Sequence, residues 1–270
     1  MYPSANDLIP MLIMLCRCTG NRINEIYNGK FNIEQKSDMT PVTCADIAAH
    51  CAIVSGLEMI TPEIPVLSEE ADNTSFEERQ QWQRYWLIDP VDGTREFINR
   101  TGEFTINIAL IENNEPVLGV IYAPVIEVCY YASRDNGAFK LVTGHDAQPL
   151  RVRCSDHQKL VVTAGRSGTT PEFEHYIRHF FEPQVITIGS SLKSCLIAAG
   201  EADIYPRFGP TSEWDTAAAQ CILEEAGGMI TDINLQPLRY NTKESLLNPD
   251  FLAFGDVSHD WSGYLQSKQL

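Results

Sequence analysis

The sequence predicts a mixed architecture, α+β in its first half and α/β in its second, and three observations carry that expectation. Residues 104–140 read as a strand meander (FTINIALI, PVLGVIYAPV, VCYYASR), with Asn113, Asn114 and Pro124 supplying turns between the runs. Beyond about residue 150, short apolar runs (LVVTAG, VITIG, DIYPRF) alternate with helical stretches at 171–181, 190–200 and 213–226. At the other end, residues 6–28 place Leu8, Leu12, Leu15, Ile23 and Ile26 at helical spacing. The texture changes near 150 without a linker. A half spanning 1–150 and a half spanning 151–270 are therefore expected to pack as one unit.

Each element has a local cause. A second helix is expected from Thr43, whose side chain can cap while Asp46, three residues on, returns the bond. The runs PVL (65–67) and YWLI (85–88) are short, apolar and end in carboxylates, as buried strands do. Gly227 and Gly228 stop the last helix. The stretch 77–84 is charged and polar and reads as an exposed loop. His175 and His179 stand four apart, a spacing compatible with a metal, but they lack the Glu of HExxH and read as a solvated face.

Composition narrows the function classes. Of 270 residues, 44% are hydrophobic and 21% charged, the mix of a soluble globular protein. No apolar run approaches the roughly 18–20 residues that span a bilayer. The run 8–16 opens with Asp7 where a signal peptide would be basic, so it reads as a buried helix face. The net charge of −16 repels phosphate backbones, which argues against nucleic-acid polymers as partners. Small phosphorylated substrates remain open, because a bound metal inverts the local field. Eight scattered cysteines, none in CxxC spacing, are expected to be reduced core thiols in a cytoplasmic protein, with peripheral membrane association left open.

The chemistry concentrates in DPVDGT (89–94). A buried strand delivers Asp89, Pro90 breaks the ladder, and Asp92 follows within the same turn, with the Val91 carbonyl between them. Gly93 and Thr94 then open an expected short helix, 95–99, whose free N–H groups suit phosphate. Oxygen ligands beside a phosphate seat suit Mg²⁺. The competing reading is an Asp-rich turn that caps a helix. An EF-hand is excluded, because its third position would be Val91 and its twelfth Arg100. Two further acids end buried elements: Glu69 in VLSEE and Asp215 in WDTAA. There is no P-loop, GxGxxG or GxSxG.

In this order and at these separations, EE, DPVDGT and WDTAA resemble the inositol monophosphatase superfamily. PVTCADIAAH, PVLSEE, LGVIYAPV and GSSLKSCLIAAGEADIYPRFGPTSEWDTAA resemble more narrowly its CysQ-type 3′(2′),5′-bisphosphate nucleotidase branch. The resemblance covers about residues 36–255. It implies a layered α-β-α-β-α sugar-phosphatase fold and a Mg²⁺-dependent, lithium-sensitive phosphomonoesterase of sulfur metabolism that acts on adenosine 3′,5′-bisphosphate. It further implies that Glu69, Asp89, the Val91 carbonyl, Asp92 and Asp215 hold two or three Mg²⁺ ions. Thr94, oriented by Asp46, would position the attacking water together with Glu69. A coordinated metal brings the pKa of water from 15.7 towards roughly 7.

A bisphosphate needs a second anion site, and Lys193 in GSSLK and Arg207 in YPRFGP are the candidate cations for it. Gly93, Thr94, Ser190, Ser191 and Asp215 complete the expected substrate contacts. The alternative readings are an inositol-1-phosphate phosphatase and a catalytically silent phospholigand-binding module. The second would be expected to lack Thr94, Asp46 or Glu69. The base pocket and the oligomeric state have no signature in the sequence.

Overall fold

A computed structural model describes residues 3–35, 41–71, 74–156, 158–166 and 170–265. The chain opens on α1 (Ala5–Asn28), capped by Ser4, whose hydroxyl accepts the Asp7 amide. A two-stranded ribbon, β1 (Ile33–Gln35) and β2 (Pro41–Thr43), leads into α2 (Cys44–Ile60). The capping box expected there is present. The Thr43 amide and hydroxyl donate to Asp46 Oδ2 at 2.8 and 2.7 Å.

Next come β3 (Val66–Ser68), the single turn α3 (Phe76–Arg79), β4 (Arg84–Asp92) and α4 (Thr94–Ile98). The meander follows as β5 (Thr105–Glu112), β6 (Glu115–Ala123), β7 (Val128–Ser133), β8 (Ala138–Val142) and β9 (Gln148–Pro149). Strands β3 to β9 form one seven-stranded sheet in sequence order, parallel between β3 and β4 and antiparallel elsewhere.

Beyond residue 160 the elements are β10 (Val161–Ala164), α5 (Pro171–Ile177), β11 (Gln184–Thr187), α6 (Leu192–Ala198), β12 (Ile204–Arg207), α7 (Glu213–Glu225), β13 (Met229–Asp232) and β14 (Phe251–Phe254). They build a five-stranded sheet in the order β11-β10-β12-β14-β13. Helices α5 and α6 are shorter than the expected 171–181 and 190–200. Ser190 has a φ of 52°, which no helical residue adopts, so α6 cannot begin before it.

Side-chain alternation along the central strands builds the layers. Trp86, Ile88, Ile106, Ile108 and Val120 face Leu8, Leu12, Ile23, Ala49, Ile53 and Leu57 of α1 and α2. The opposite face, with Leu87, Ala109, Ile111 and Ile121, meets Cys195, Ala217, Cys221 and Ile222 of α6 and α7. Those helices also cover Tyr205, Ile230 and Ala253 of the smaller sheet. Its far face, with Val162, Ile204, Leu252 and Phe254, packs on Phe173 and Tyr176 of α5 and on Trp261. The result is the five-layer α-β-α-β-α arrangement. One close approach sets the spacing of the inner layers: a Cβ on Gly119 of β6 would stand 2.3 Å from the Ala218 carbonyl oxygen of α7.

Two local expectations need correction. The stretch 77–84 is exposed at Glu77, Glu78, Gln80, Gln81 and Gln83, but it opens on the turn of α3 and buries Arg79. Arg79 is only 2% exposed and donates to Asn241 Oδ1 at 2.5 Å, to the Lys243 carbonyl at 3.1 Å and to the Glu244 carbonyl. Its partners lie more than 160 residues away, beyond the reach of local pattern. Pro90 interrupts the ladder as expected: β4 runs on to Asp92, but only Asp89 and Asp92 pair with β5 across the bulge. Of the eight free cysteines, Cys16, Cys129, Cys195 and Cys221 are buried, whereas Cys18, Cys44, Cys51 and Cys154 lie on the surface. No helix of the described residues is long and apolar enough to cross a membrane.

Candidate active site

The acidic turn is a product of the bulge. Asp89 pairs with Asn107 of β5 and Asp92 with Thr105, so three residues of β4 advance against two of β5. Pro90, which lacks an amide donor, is tolerated in that irregularity. The Val91 amide closes the turn onto Asp89 Oδ1 at 3.0 Å. Gly93 follows at φ 94°, a left-handed conformation that a side chain disfavours, and α4 starts directly after it at Thr94.

Two other elements bring acids to the same place. Asp215 is the third residue of α7 and accepts the Ser212 amide at 2.7 Å, a capping box that fixes one of its oxygens. Carboxylate oxygens of Asp89, Asp92 and Asp215 lie within 4.8 Å of one another. Glu69 directly follows β3, and its amide is bonded to the Ile88 carbonyl at 3.1 Å, beside the end of β4. Burial pushes the Asp89 carboxyl well above the usual range, and the charges of Glu69, Asp92 and Asp215 push it further. Asp215 is raised by burial and by Asp92. Such a set repels itself. The hard carboxylate oxygens of Asp89, Asp92 and Asp215, crowded this closely, suit a divalent oxygen-seeking ion such as Mg²⁺.

A second motif flanks the acids. The Thr94 hydroxyl donates to Asp46 Oδ1 at 3.2 Å, while the other oxygen of Asp46 is held by Thr43. The capping residue of α2 therefore orients a hydroxyl at the start of α4.

Outward of these groups opens a cavity of about 180 Å³, lined by Asp92, Gly93, Ser190, Ser191, Lys193, Arg207 and Asp215 among others. The Lys193 ammonium donates to the Ser190 carbonyl at 2.5 Å and lies 5.2 Å over the Tyr205 ring. Arg207 donates from Nη2 to the Pro210 carbonyl at 3.0 Å. Of the other residues singled out from the sequence, Asp89 joins through the acid cluster, and Asp46 and Thr94 through their hydrogen bond. The Val91 carbonyl lies 3.4 Å from the Thr94 hydroxyl.

The family model described as the inositol monophosphatase family matches residues 5–259. The chain belongs to the inositol monophosphatase family. A 3′(2′),5′-bisphosphate nucleotidase CysQ from Salmonella typhimurium is 50% identical over 246 residues, covering 90% of this chain and 98% of that protein. The protein of the same name from Haemophilus influenzae is 39% identical over 260 residues, covering 96% and 97%. Among solved structures, CysQ from Bacteroides thetaiotaomicron superposes with a TM-score of 0.77 at 39% identity, covering 90% of this chain and 96% of that one. An IMPase from Thermotoga maritima gives 0.79 at 26% identity, covering 96% of each chain.

This inositol monophosphatase-family site also contains residues that no motif announced. Asn107, 1% exposed, donates through Nδ2 to Asp92 Oδ2 at 3.2 Å and to Ser191 Oγ at 2.8 Å, and its Oδ1 accepts the Thr105 hydroxyl at 3.0 Å. Ser191 in turn reaches Asp92 Oδ2 at 2.7 Å and the Asp215 carbonyl at 3.0 Å. This buried polar chain ties the acids of β4 and α7 together. A polar residue inside the apolar run FTINIALI was the only signal for Asn107 in the sequence. His50, bonded through Nδ1 to Ser68 Oγ at 2.8 Å just before Glu69, had none.

Proposed function

We propose that this protein is a Mg²⁺-dependent 3′(2′),5′-bisphosphate nucleotidase that hydrolyses adenosine 3′,5′-bisphosphate to AMP and phosphate. The observation that carries this reading is the cavity itself: two acids of the oxygen-only cluster, Asp92 and Asp215, line it together with two cations, Lys193 and Arg207. The names borne by relatives at 39–50% identity over nearly the whole chain support it.

Glu69, Asp89, the Val91 carbonyl, Asp92 and Asp215 would hold the metal. Bound there, Mg²⁺ neutralises phosphate oxygens and eases deprotonation of water. The remaining work belongs to the chain. The proton of the Thr94 hydroxyl points to Asp46, so its lone pairs are turned away from Asp46 and accept an O–H of the attacking water. Glu69, just past the end of β3, would hold that water together with Thr94. Asn107 and Ser191 keep Asp92 from rotating as charge develops. Lys193 and Arg207 meet the phosphate that does not react, which a background charge of −16 would otherwise repel.

The test is phosphate release from adenosine 3′,5′-bisphosphate, inositol 1-phosphate and fructose 1,6-bisphosphate by wild type, Lys193→Ala and Arg207→Ala. A charge-assisted contact contributes roughly 1.5–3 kcal/mol, so each variant should lose about ten- to a hundredfold in kcat/KM on the nucleotide. Its loss on inositol 1-phosphate should be much smaller. Equal losses would assign these cations to the reacting phosphate or to the fold. A wild type that prefers inositol 1-phosphate would replace the nucleotidase reading with an inositol phosphatase.

A further inference from the structure

The carboxylates around the cavity differ in one respect. Asp92 accepts from Asn107 and Ser191, and Asp215 accepts from the Ser212 amide. Glu103, packed beside Glu96 at Gly189, accepts from Arg166 at 2.5 Å and from the Gly189 amide at 2.8 Å. Glu96 lines the same cavity and is half-buried; its carbonyl accepts from Thr101, whereas its carboxylate feels the charge of Arg166 but accepts no hydrogen bond from a described residue.

Two glycines hold it where it is. A Cβ on Gly189 would stand 2.4 Å from Glu96 Cγ, and one on Gly93 would stand 3.3 Å from Glu96 Oε2. The carboxylate thus lies against the backbone of the turn that carries Asp92 and Thr94. The neighbouring polar groups of the cavity wall, among them Ser190, Lys193, Arg207 and Thr211, are cations or hydroxyls suited to phosphate oxygens. An ionised carboxylate among them only accepts and repels phosphate; with Arg166 acting on it through charge and no hydrogen bond, its oxygens are open to a donor from the ligand. In a sugar phosphate, the donor nearest the scissile ester is the hydroxyl on the adjacent ring carbon.

We propose that Glu96 is a specificity residue that accepts a hydrogen bond from the substrate hydroxyl vicinal to the phosphate being removed. The inference rests on the nucleotidase reading above and deepens it. For a nucleoside bisphosphate, the group read is the ribose 2′-hydroxyl when the 3′-phosphate leaves, and the 3′-hydroxyl when a 2′-phosphate leaves. One acceptor serves both isomers. The same carboxylate disfavours a second phosphate on that carbon, because the two anions would face each other.

The experiment compares kcat/KM for adenosine 3′,5′-bisphosphate and its 2′-deoxy analogue on wild type, Glu96→Ala and Glu96→Gln. Wild type should prefer the ribonucleotide by roughly ten- to a hundredfold, the worth of one hydrogen bond to a charged group. Glu96→Ala should shrink the ratio to less than about threefold, and Glu96→Gln, which keeps shape and an acceptor but not the charge, should fall between. The glutamine variant also carries the test if the alanine variant fails to fold. A wild-type ratio near one, or an alanine variant that lowers both substrates in parallel, overturns the assignment. Release of phosphate from inositol 1-phosphate but from neither nucleotide is a different outcome. It overturns the nucleotidase reading, and the ribose assignment falls with it.

Discussion

Asp92 is held at one oxygen by two donors, Asn107 Nδ2 at 3.2 Å and Ser191 Oγ at 2.7 Å. A carboxylate fixed in this way needs little reorganisation to meet a cation. Replacing Asn107 by Ala should therefore raise the Mg²⁺ concentration for half-maximal activity by about ten- to a hundredfold. Saturating Mg²⁺ should restore much of kcat. A kcat that falls with an unchanged Mg²⁺ midpoint would mean Asn107 serves the fold alone. Glu213 makes a different prediction. Burial raises its carboxyl to about 7, against the pull of the Asn241 amide and of Arg79. The folded value lies above the unfolded one, so stability at this group is full at low pH and is lost as pH rises through about 7. In metal-free protein, Glu213→Gln should gain Tm over wild type at pH 8 and gain little at pH 5. Equal differences at both pH values would contradict the burial cause. Individual roles of this kind were poorly legible in the sequence. Asn107 meets Ser191 across 84 positions and Arg79 meets Asn241 across 162. No local window contains either pair.

Elements fared better, because their causes are local. The strand meander, the capping box at Thr43 and the acid at the start of α7 all follow from spacing within a few residues. The device recurs: Asp46 and Asp215 are each the third residue of a helix, each bonded to its N-cap amide, and each aimed at the site with its remaining oxygen or carbonyl. Helix ends in the second half were less legible, since a left-handed Ser190 is not encoded by a residue type that demands it. Packing between elements supplies the next prediction. A Cβ at Gly119 would meet backbone, the Ala218 carbonyl, at 2.3 Å, so α7 must move to admit it. Overpacking of this kind costs about 1–3 kcal/mol, and in a chain of this size each kcal/mol lowers Tm by about 2–4 °C. Because α7 carries Asp215, Gly119→Ala should also weaken Mg²⁺ activation. A stable variant with full activity would show that the inner layers are looser than their spacing implies.

At the scale of the molecule, two sheets and three helical layers bring acids of β4 and α7 together with Glu69, just past β3, up to 146 positions apart in the chain. The layering was legible as alternation of strand and helix texture together with a family resemblance. The sheet order β11-β10-β12-β14-β13 was not, since such short strands carry no mark of their partners. The charge of −16 acts at this scale too. Self-repulsion is screened as the Debye length falls from about 30 Å at 0.01 M salt to about 10 Å at 0.1 M, so Tm should rise over that range. A flat response would show that the acids are already neutralised in pairs. The central claim is that Asp89, Asp92, Asp215 and Glu69 form the divalent-metal centre of a nucleotidase. The most direct measurement is phosphate release from adenosine 3′,5′-bisphosphate by metal-stripped protein titrated with Mg²⁺, with Asp92→Asn run beside wild type. The structure predicts no turnover without metal, saturable activation of wild type, and loss of at least about a hundredfold in the folded variant. Turnover without metal, or an Asp92→Asn protein activated at the same Mg²⁺ concentration and to the same rate, would contradict it.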